Sequence, residues 1–364
     1  MHIATYYQRV RLWNPTGVGK HILHMTAGLE KVFGSITHIQ EFDDLRKARR
    51  LAVPAVAAPS FQHVLPIPRK VMKACWVKAN FPPLEMFGVR PDWVYCPAED
   101  YVARSWAKLA VTIHDPRPFE DRLPWSQSQE EVSYRARWQP ILTRLVERAD
   151  VVLTVSEYSR HRMVEVMGIS PEKIVIVGNG VEDHFFLNSA ESIEEPNPYI
   201  LMVGGLQPRK GHTHIMELSR LLQRANSGLR IRIAGRGEVR CEEEGRKACN
   251  IDLLGYVSDE DLRDLMQRAT AFVMLSEYEG FGIPVLEAMA SRCPAIVINR
   301  TALPEVTGRA GIVVESAGEA LEAIEAVATS SQTRRELVTA GCARAEAFRW
   351  SSCVDRLAAV LRES

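Results

Sequence analysis

Short apolar runs of three to five residues recur along this chain, separated by longer stretches in which apolar positions return every three or four residues. In the first half the runs are Ile3 to Tyr6, Trp93 to Tyr95, Leu109 to Ile113, Val151 to Val155 and Ile174 to Val177. Each reads as a buried strand, too short for a helix and bounded by polar or turn residues. Helical patterns lie between them: Ile22, Leu23, Met25, Ala27 and Leu29 after the turn 14–20, then Trp138 to Ala149 and Tyr158 to Met167. Residues 188–198, rich in Glu, Ser, Asn and Pro, break the periodicity. The alternation restarts at Tyr199 to Val203 and continues through Leu229–Ala234, Asp252–Leu254, Ala271–Leu275, Ala295–Ile298 and Gly311–Val314. Strands alternating with helices predict parallel sheets covered on both faces. The expectation is an α/β protein of two doubly wound, Rossmann-like domains in tandem: residues 1–188, a linker at 189–198, and residues 199–350. A closing helix in 351–364, roughly Ser352 to Arg362, is expected to return to the first domain.

The length of 364 residues suits two domains better than one core. A hydrophobic share of 46% and a charged share of 25% are ordinary for a globular protein. No apolar run approaches the roughly 20 residues that span a bilayer, and Met1 to Thr5 lack the pattern of a secretory signal. The seven cysteines contain no CxxC pair and no metal-ligand spacing. Reduced thiols in a cytoplasm, and no metal site, are the expectation. The net charge of zero hides an asymmetry: residues 1–180 hold 24 Lys+Arg against 18 Asp+Glu, and residues 181–364 hold 21 against 27. The first half therefore either differs only in its surface or faces something anionic. Neutral overall charge without interleaved basic and aromatic residues argues against a nucleic-acid partner.

The most informative chemistry lies at residues 276–294. After the strand Ala271–Leu275, a turn containing Gly280 and Gly282 leads to a helix that Pro284 opens and that runs through Ala290. Glu279 and Glu287 bracket this helix N-terminus, whose free N–H groups and dipole suit an anion such as phosphate. Carboxylates beside a phosphate site want hydroxyl partners, which points to a nucleotide sugar. A second strand end carries Gly204-Gly205-Leu206-Gln207-Pro208-Arg209-Lys210-Gly211. Its adjacent cations, Arg209 and Lys210, are suited to neutralise a diphosphate leaving group. Other apparent motifs fail: Gly19-Lys20-His21 follows Asn14 where a P-loop needs Gly, and Gly235-Arg236-Gly237 lacks the third glycine of a dinucleotide fingerprint.

These segments, with Leu254-Gly255-Tyr256-Val257, Glu279 to Ala288, Leu303-Pro304-Glu305-Val306 and Ala310-Gly311, resemble the retaining glycosyltransferases of family 4, which have the GT-B fold. Thr112-Ile113-His114-Asp115, Thr154 to Ser159 and Asn179-Gly180-Val181 resemble segments of the same family in the first half, and the resemblance is weak over residues 31–90. It implies two domains facing across a cleft. Glu287 would bind ribose hydroxyls; Glu279 and the backbone of Phe281, Gly282 and Ile283 would hold the donor sugar and phosphates. Arg209 and Lys210 would stabilise the departing diphosphate, and the backbone near Val257 would meet the base. His114 would lie near the donor sugar, while Gly17 and Gly19 would let the first domain's backbone approach the diphosphate. Many relatives have Arg where Gly205 stands, and Arg209 would compensate. The implied reaction is retaining, metal-independent hexosyl transfer by front-face attack. Glu279 as a nucleophile is the alternative.

The implied donor is a GDP- or UDP-sugar, with GDP-mannose favoured because the Pro-Arg-Lys and Ile-His-Asp segments resemble bacterial mannosyltransferases. No other cofactor is expected. The acceptor would be a glycan or lipid-linked sugar in surface polysaccharide assembly. Residues 67–78 place Val71, Met72, Cys75 and Trp76 on one helical face, with Arg69, Lys70, Lys73 and Lys78 largely off it. Such a helix either packs with a lysine-rich solvent face or rests peripherally on an anionic membrane. Rival readings are an epimerase or phosphorylase of the same fold, or a non-catalytic nucleotide-sugar binding partner.

Overall fold

The structure, a computed structural model, describes residues 1–12, 16–50, 61–104, 106–187, 195–235 and 250–363. It divides into two compact units, Met1–Gly180 with Trp350–Ser364, and Val181–Arg349. The chain thus passes from the first unit to the second at Gly180, and residues 189–194 of the expected linker lie outside the described residues.

The strands, among the described residues, are β1 (Ile3–Tyr6), β2 (Thr37–Glu41), β3 (Phe61–Leu65), β4 (Trp93–Cys96), β5 (Lys108–Thr112), β6 (Val151–Thr154) and β7 (Ile174–Ile176) in the first unit. The second unit contains β8 (Tyr199–Val203), β9 (Arg230–Ala234), β10 (Ile251–Gly255), β11 (Ala271–Met274), β12 (Ala295–Ile298) and β13 (Ile312–Val314). The helices are α1 (Gly17–Phe33), α2 (Phe42–Arg50), α3 (Arg69–Ala79), α4 (Gln129–Arg148), α5 (Glu157–Met167), α6 (His212–Arg224), α7 (Asp259–Arg268), α8 (Ile283–Ala290), α9 (Leu303–Thr307), α10 (Ala317–Thr329), α11 (Ser331–Glu346) and α12 (Trp350–Glu363). The first sheet is parallel, in the order β3-β2-β1-β4-β5-β6-β7. The second is parallel too, in the order β10-β9-β8-β11-β12-β13. Each order reverses once, between β1 and β4 and between β8 and β11, and ligands of doubly wound sheets bind beyond the carboxyl ends at that reversal.

Local chemistry starts and stops these helices. Ser156, Ser258 and Ser316 each accept a hydrogen bond from the N–H three residues on, capping α5, α7 and α10. Gly168, at φ 67°, ends α5 in the left-handed region. Two strands escape a reading by hydrophobic pattern, β2 and β3. All five residues of β2 are buried although only Ile39 is apolar. Some of its polar groups find partners: His38 Nδ1 is 2.7 Å from Thr5 Oγ1, and Tyr6 donates its hydroxyl to Glu41 Oε1. His38 Nε2, Gln40 Oε1 and Glu41 Oε2 are buried without a hydrogen-bond partner among the described residues. Burial pushes the Glu41 carboxyl up to about 7.

Helix α12 belongs to the first unit and packs on α1. A methyl group added at Gly28 would come 2.2 Å from Val354 Cγ2, so the contact depends on glycine. His24 stacks on Trp350 with ring centroids 4.7 Å apart.

The apolar face expected over residues 67–78 is divided. Met72 and Trp76 lie in the core, where Trp76 meets Tyr6 edge-on at 5.4 Å and donates to Pro82 O across 2.8 Å. Val71 and Cys75 are exposed. The tryptophan is therefore a packing residue rather than a membrane-facing one. No helix among the described residues is long and apolar enough to cross a membrane.

Candidate active site

At the reversal of the second sheet, the loops after β8 and β11 interlock. Gly211, at φ 78°, lies so close to β11 that a Cβ there would sit 1.8 Å from Leu275 O. Glu277 N donates to Arg209 O across 3.0 Å, and Arg209 Nη1 donates to Tyr278 O across 2.9 Å. These backbone ties set the side chains. Lys210 Nζ donates to Glu279 Oε1 across 2.6 Å, and Arg209 Nη1 stands 3.9 Å from Glu279 Oε2. Burial pushes the Glu279 carboxyl up, but Lys210 and Arg209 outweigh it and hold the group below the usual carboxylate range. Its backbone N–H is held by Thr301 Oγ1 at 3.0 Å, Thr301 itself having φ 54°.

Helix α8 begins after Gly282, at φ 108°, with Pro284 in its first turn. Phe281, Ile283 and Glu287 are buried. Val257 is half-buried just beyond β10, beside Tyr256, whose ring is exposed. Gly235 N donates to Gly255 O across 2.7 Å, and a Cβ at Gly235 would sit 2.6 Å from Gly205 N. Gly205 itself has φ 80°, a conformation that disfavours a side chain. Among the described residues the loop after β8 supplies the cations Arg209 and Lys210.

The first unit holds the remaining expected residues. His114 follows β5 and is buried; its Nε2 lies 3.3 Å from Pro97 O, so that nitrogen carries the proton and Nδ1 is the acceptor. Burial, with help from Arg11, pushes its imidazole down to about 4, so it is neutral near pH 7. His21 packs edge-on against it at 4.8 Å. His21 is fixed in turn by Asn179 Oδ1 at 2.8 Å and Tyr95 OH at 3.2 Å, and burial likewise pushes its imidazole well down. Gly17 opens α1 beyond the end of β1, and Gly19 is buried in its first turn. Asn14 and Pro15 of the same turn lie outside the described residues, as does Arg236.

The second unit thus brings Arg209, Lys210 and Glu279 into mutual contact, while the first unit groups His114 with His21. Sequence reading gave no role to His21 or Thr301, since a lone histidine in a failed P-loop and a threonine at positive φ give no pattern, and it named Asn179 only as part of the segment 179–181. Among the described residues Glu182, His184 and Asp259 bring ligand atoms within 4.8 Å of one another, a grouping hidden by their spacing.

Known proteins share both halves of this chain. Residues 15–185 match the family model Glycosyltransferase Family 4, and residues 183–344 match Glycosyl transferases group 1. An O-antigen chain mannosyltransferase B from Escherichia coli is 30% identical over 283 residues, covering 73% of each chain. A GDP-mannose:cellobiosyl-diphosphopolyprenol alpha-mannosyltransferase from Komagataeibacter xylinus is 27% identical over 238 residues, 62% of this chain and 60% of that enzyme. Among solved structures, WaaG, a glycosyltransferase involved in lipopolysaccharide biosynthesis, superposes with a TM-score of 0.67 at 15% identity over 100% of both chains. The chain belongs to glycosyltransferase family 4 and has the GT-B fold.

Proposed function

We propose that this glycosyltransferase moves a mannosyl group from GDP-mannose to a hydroxyl of a glycan or lipid-linked acceptor in surface polysaccharide assembly, with retention of configuration and without a metal. The observation that carries the donor half is the Arg209–Lys210–Glu279 constellation at the reversal of the second sheet. Two cations beside a carboxylate suit a diphosphate next to a sugar. The mannose and the acceptor class rest on the similarity to mannosyltransferases of O-antigen and diphosphopolyprenol-linked glycans.

In this reading Glu287 takes the ribose hydroxyls, the backbone of Phe281, Gly282 and Ile283 holds the phosphates, and the backbone at Val257 meets the base. Arg209 and Lys210 stabilise the leaving diphosphate, which accepts the acceptor's proton. Glu279 orients the sugar; both its oxygens face cations, which makes it a weak nucleophile. His114, neutral, offers Nδ1 as acceptor to a sugar hydroxyl, and Gly17 and Gly19 allow close approach of backbone to the diphosphate. Thermal shifts with UDP-, GDP-, ADP- and TDP-sugars test the donor, and a shift confined to GDP-mannose is expected. Glu287→Ala should abolish that shift. The anomer formed, read by NMR with and without EDTA, tests retention and metal independence.

A further inference from the structure

The reversal of the first sheet is tied together as that of the second is. Gln8 Nε2, beyond β1, donates to Asp100 Oδ1, beyond β4, across 2.9 Å. Arg11 lies 3.9 Å from Glu99 and 3.8 Å from Asp100. Arg69, the first residue of α3, comes 3.7 Å from Asp100 Oδ1. One turn further, Lys73 is half-buried with Nζ 4.8 Å over the Trp138 ring, which Arg137 also approaches at 5.7 Å.

This cluster has donors to spare. Asp100, 2% exposed, is shared between Arg11 and Arg69, and the Nε of Arg69 is buried without a hydrogen-bond partner among the described residues. Lys73 forms no ion pair with a described carboxylate and has only the aromatic ring beneath it. Burial lowers the Lys73 ammonium; Asp100 opposes this, while Arg69, Arg11 and Arg137 add to it. An anion entering among these cations relieves their repulsion and replaces water lost to burial. The cluster also adjoins His114, because Glu99 Oε1 accepts from the His114 N–H at 3.2 Å while facing Arg11.

We propose that Arg11, Arg69 and Lys73, with Lys73 seated over Trp138, form a subsite at the reversal of the first sheet for a phosphoryl group of the acceptor. The role of acceptor rests on the glycosyl-transfer reading above; the affinity for a phosphoryl anion does not. The phosphoryl group belongs either to a lipid diphosphate that carries the growing glycan or to a phosphorylated sugar within it, and two probes separate these sources.

Geranyl diphosphate and methyl α-mannoside 6-phosphate are titrated calorimetrically into the full chain. One of them is expected to bind the wild type, and that one names the source. Lys73→Gln weakens binding by about tenfold, the scale of a charge-assisted hydrogen bond, and Lys73→Arg restores it. Arg69→Gln gives a second measurement with the same expected loss, and Lys210→Ala retains binding. The subsite is overturned if neither probe binds, if binding survives both Lys73→Gln and Arg69→Gln, or if Lys210→Ala removes it, which would assign the anion to the second unit. The titration needs no turnover, so a chain that fails to transfer mannose sinks the donor reading and still answers this question.

Discussion

Lys210 Nζ and Glu279 Oε1 are 2.6 Å apart, joining the loops that follow two neighbouring strands, β8 and β11. In the proposed reaction a diphosphate drawn to Lys210 would share it with Glu279, which already orients the lysine. Lys210→Ala should lower kcat by about 100- to 1000-fold, the scale of removing one preorganised donor to a developing anion. KM for the donor should change far less. Equal changes in kcat and KM, or none, in steady-state kinetics would remove the lysine from the reaction.

Two glycines at similar dihedral angles make different demands. Gly228, at φ 69°, has open space where a Cβ would go, whereas at Gly211, at φ 78°, that atom would meet Leu275 O at 1.8 Å. Gly228→Ala should cost only the left-handed conformation, about 1–2 kcal/mol. Gly211→Ala should cost more than about 3 kcal/mol, because backbone must move, and should also unseat Lys210. Denaturant unfolding of the two variants compares them directly, and equal losses would contradict the close approach.

Buried groups in the first unit respond oppositely to acid. The His114 imidazole, ordinarily near 6.5, is held at about 4, so protonation favours the unfolded chain. Its contribution is complete above pH 6.5 and is lost as pH falls towards 4, by up to about 3 kcal/mol. The Glu41 carboxyl is raised from 4.5 to about 7, so its contribution is complete below pH 4.5 and is lost as pH rises through 7. Glu41→Gln should therefore raise the melting temperature at pH 8 and leave it unchanged at pH 4. Thermal unfolding at the two values separates this from a uniform change.

The α1–α12 contact makes a paired prediction. Gly28→Ala places a methyl group 2.2 Å from Val354 Cγ2 and should lower stability by about 1–3 kcal/mol through overpacking. Val354→Ala removes the opposing branches, and the double variant should recover most of the loss. A double-mutant cycle that shows strict additivity would mean that the helices do not touch there.

The second unit was legible because most of its strands are predominantly apolar and most of its expected site residues fall in two segments, 204–211 and 279–287. Hydrophobic pattern located β8 to β13 within a residue or two at most boundaries. The first unit hid more. Strand β2, Thr-His-Ile-Gln-Glu, is buried although four of its five residues are polar, with His38 and Glu41 paired to Thr5 and Tyr6, an arrangement that no periodicity reveals. Helix α3 showed a plausible surface face, but which of its apolar residues turn inward depends on Tyr6 and Pro82, distant in sequence. Arg11, Arg69 and Asp100 are likewise separated by whole strands and meet only where the sheet order reverses. Lys210 and Glu279, also 69 residues apart, were paired in expectation only because each sat in a recognisable segment.

The membership of α12 in the first unit bears on how the protein is made. Val181–Arg349 is one continuous stretch, so everything that unit needs emerges from the ribosome in sequence. The first unit is translated earlier but lacks the helix that covers α1 until residues 350–363 appear. Domains ordinarily complete themselves in the order of synthesis. Here the order inverts: the first unit waits with its α1 surface bare, a nascent-chain state open to chaperones and proteases, and it is finished last.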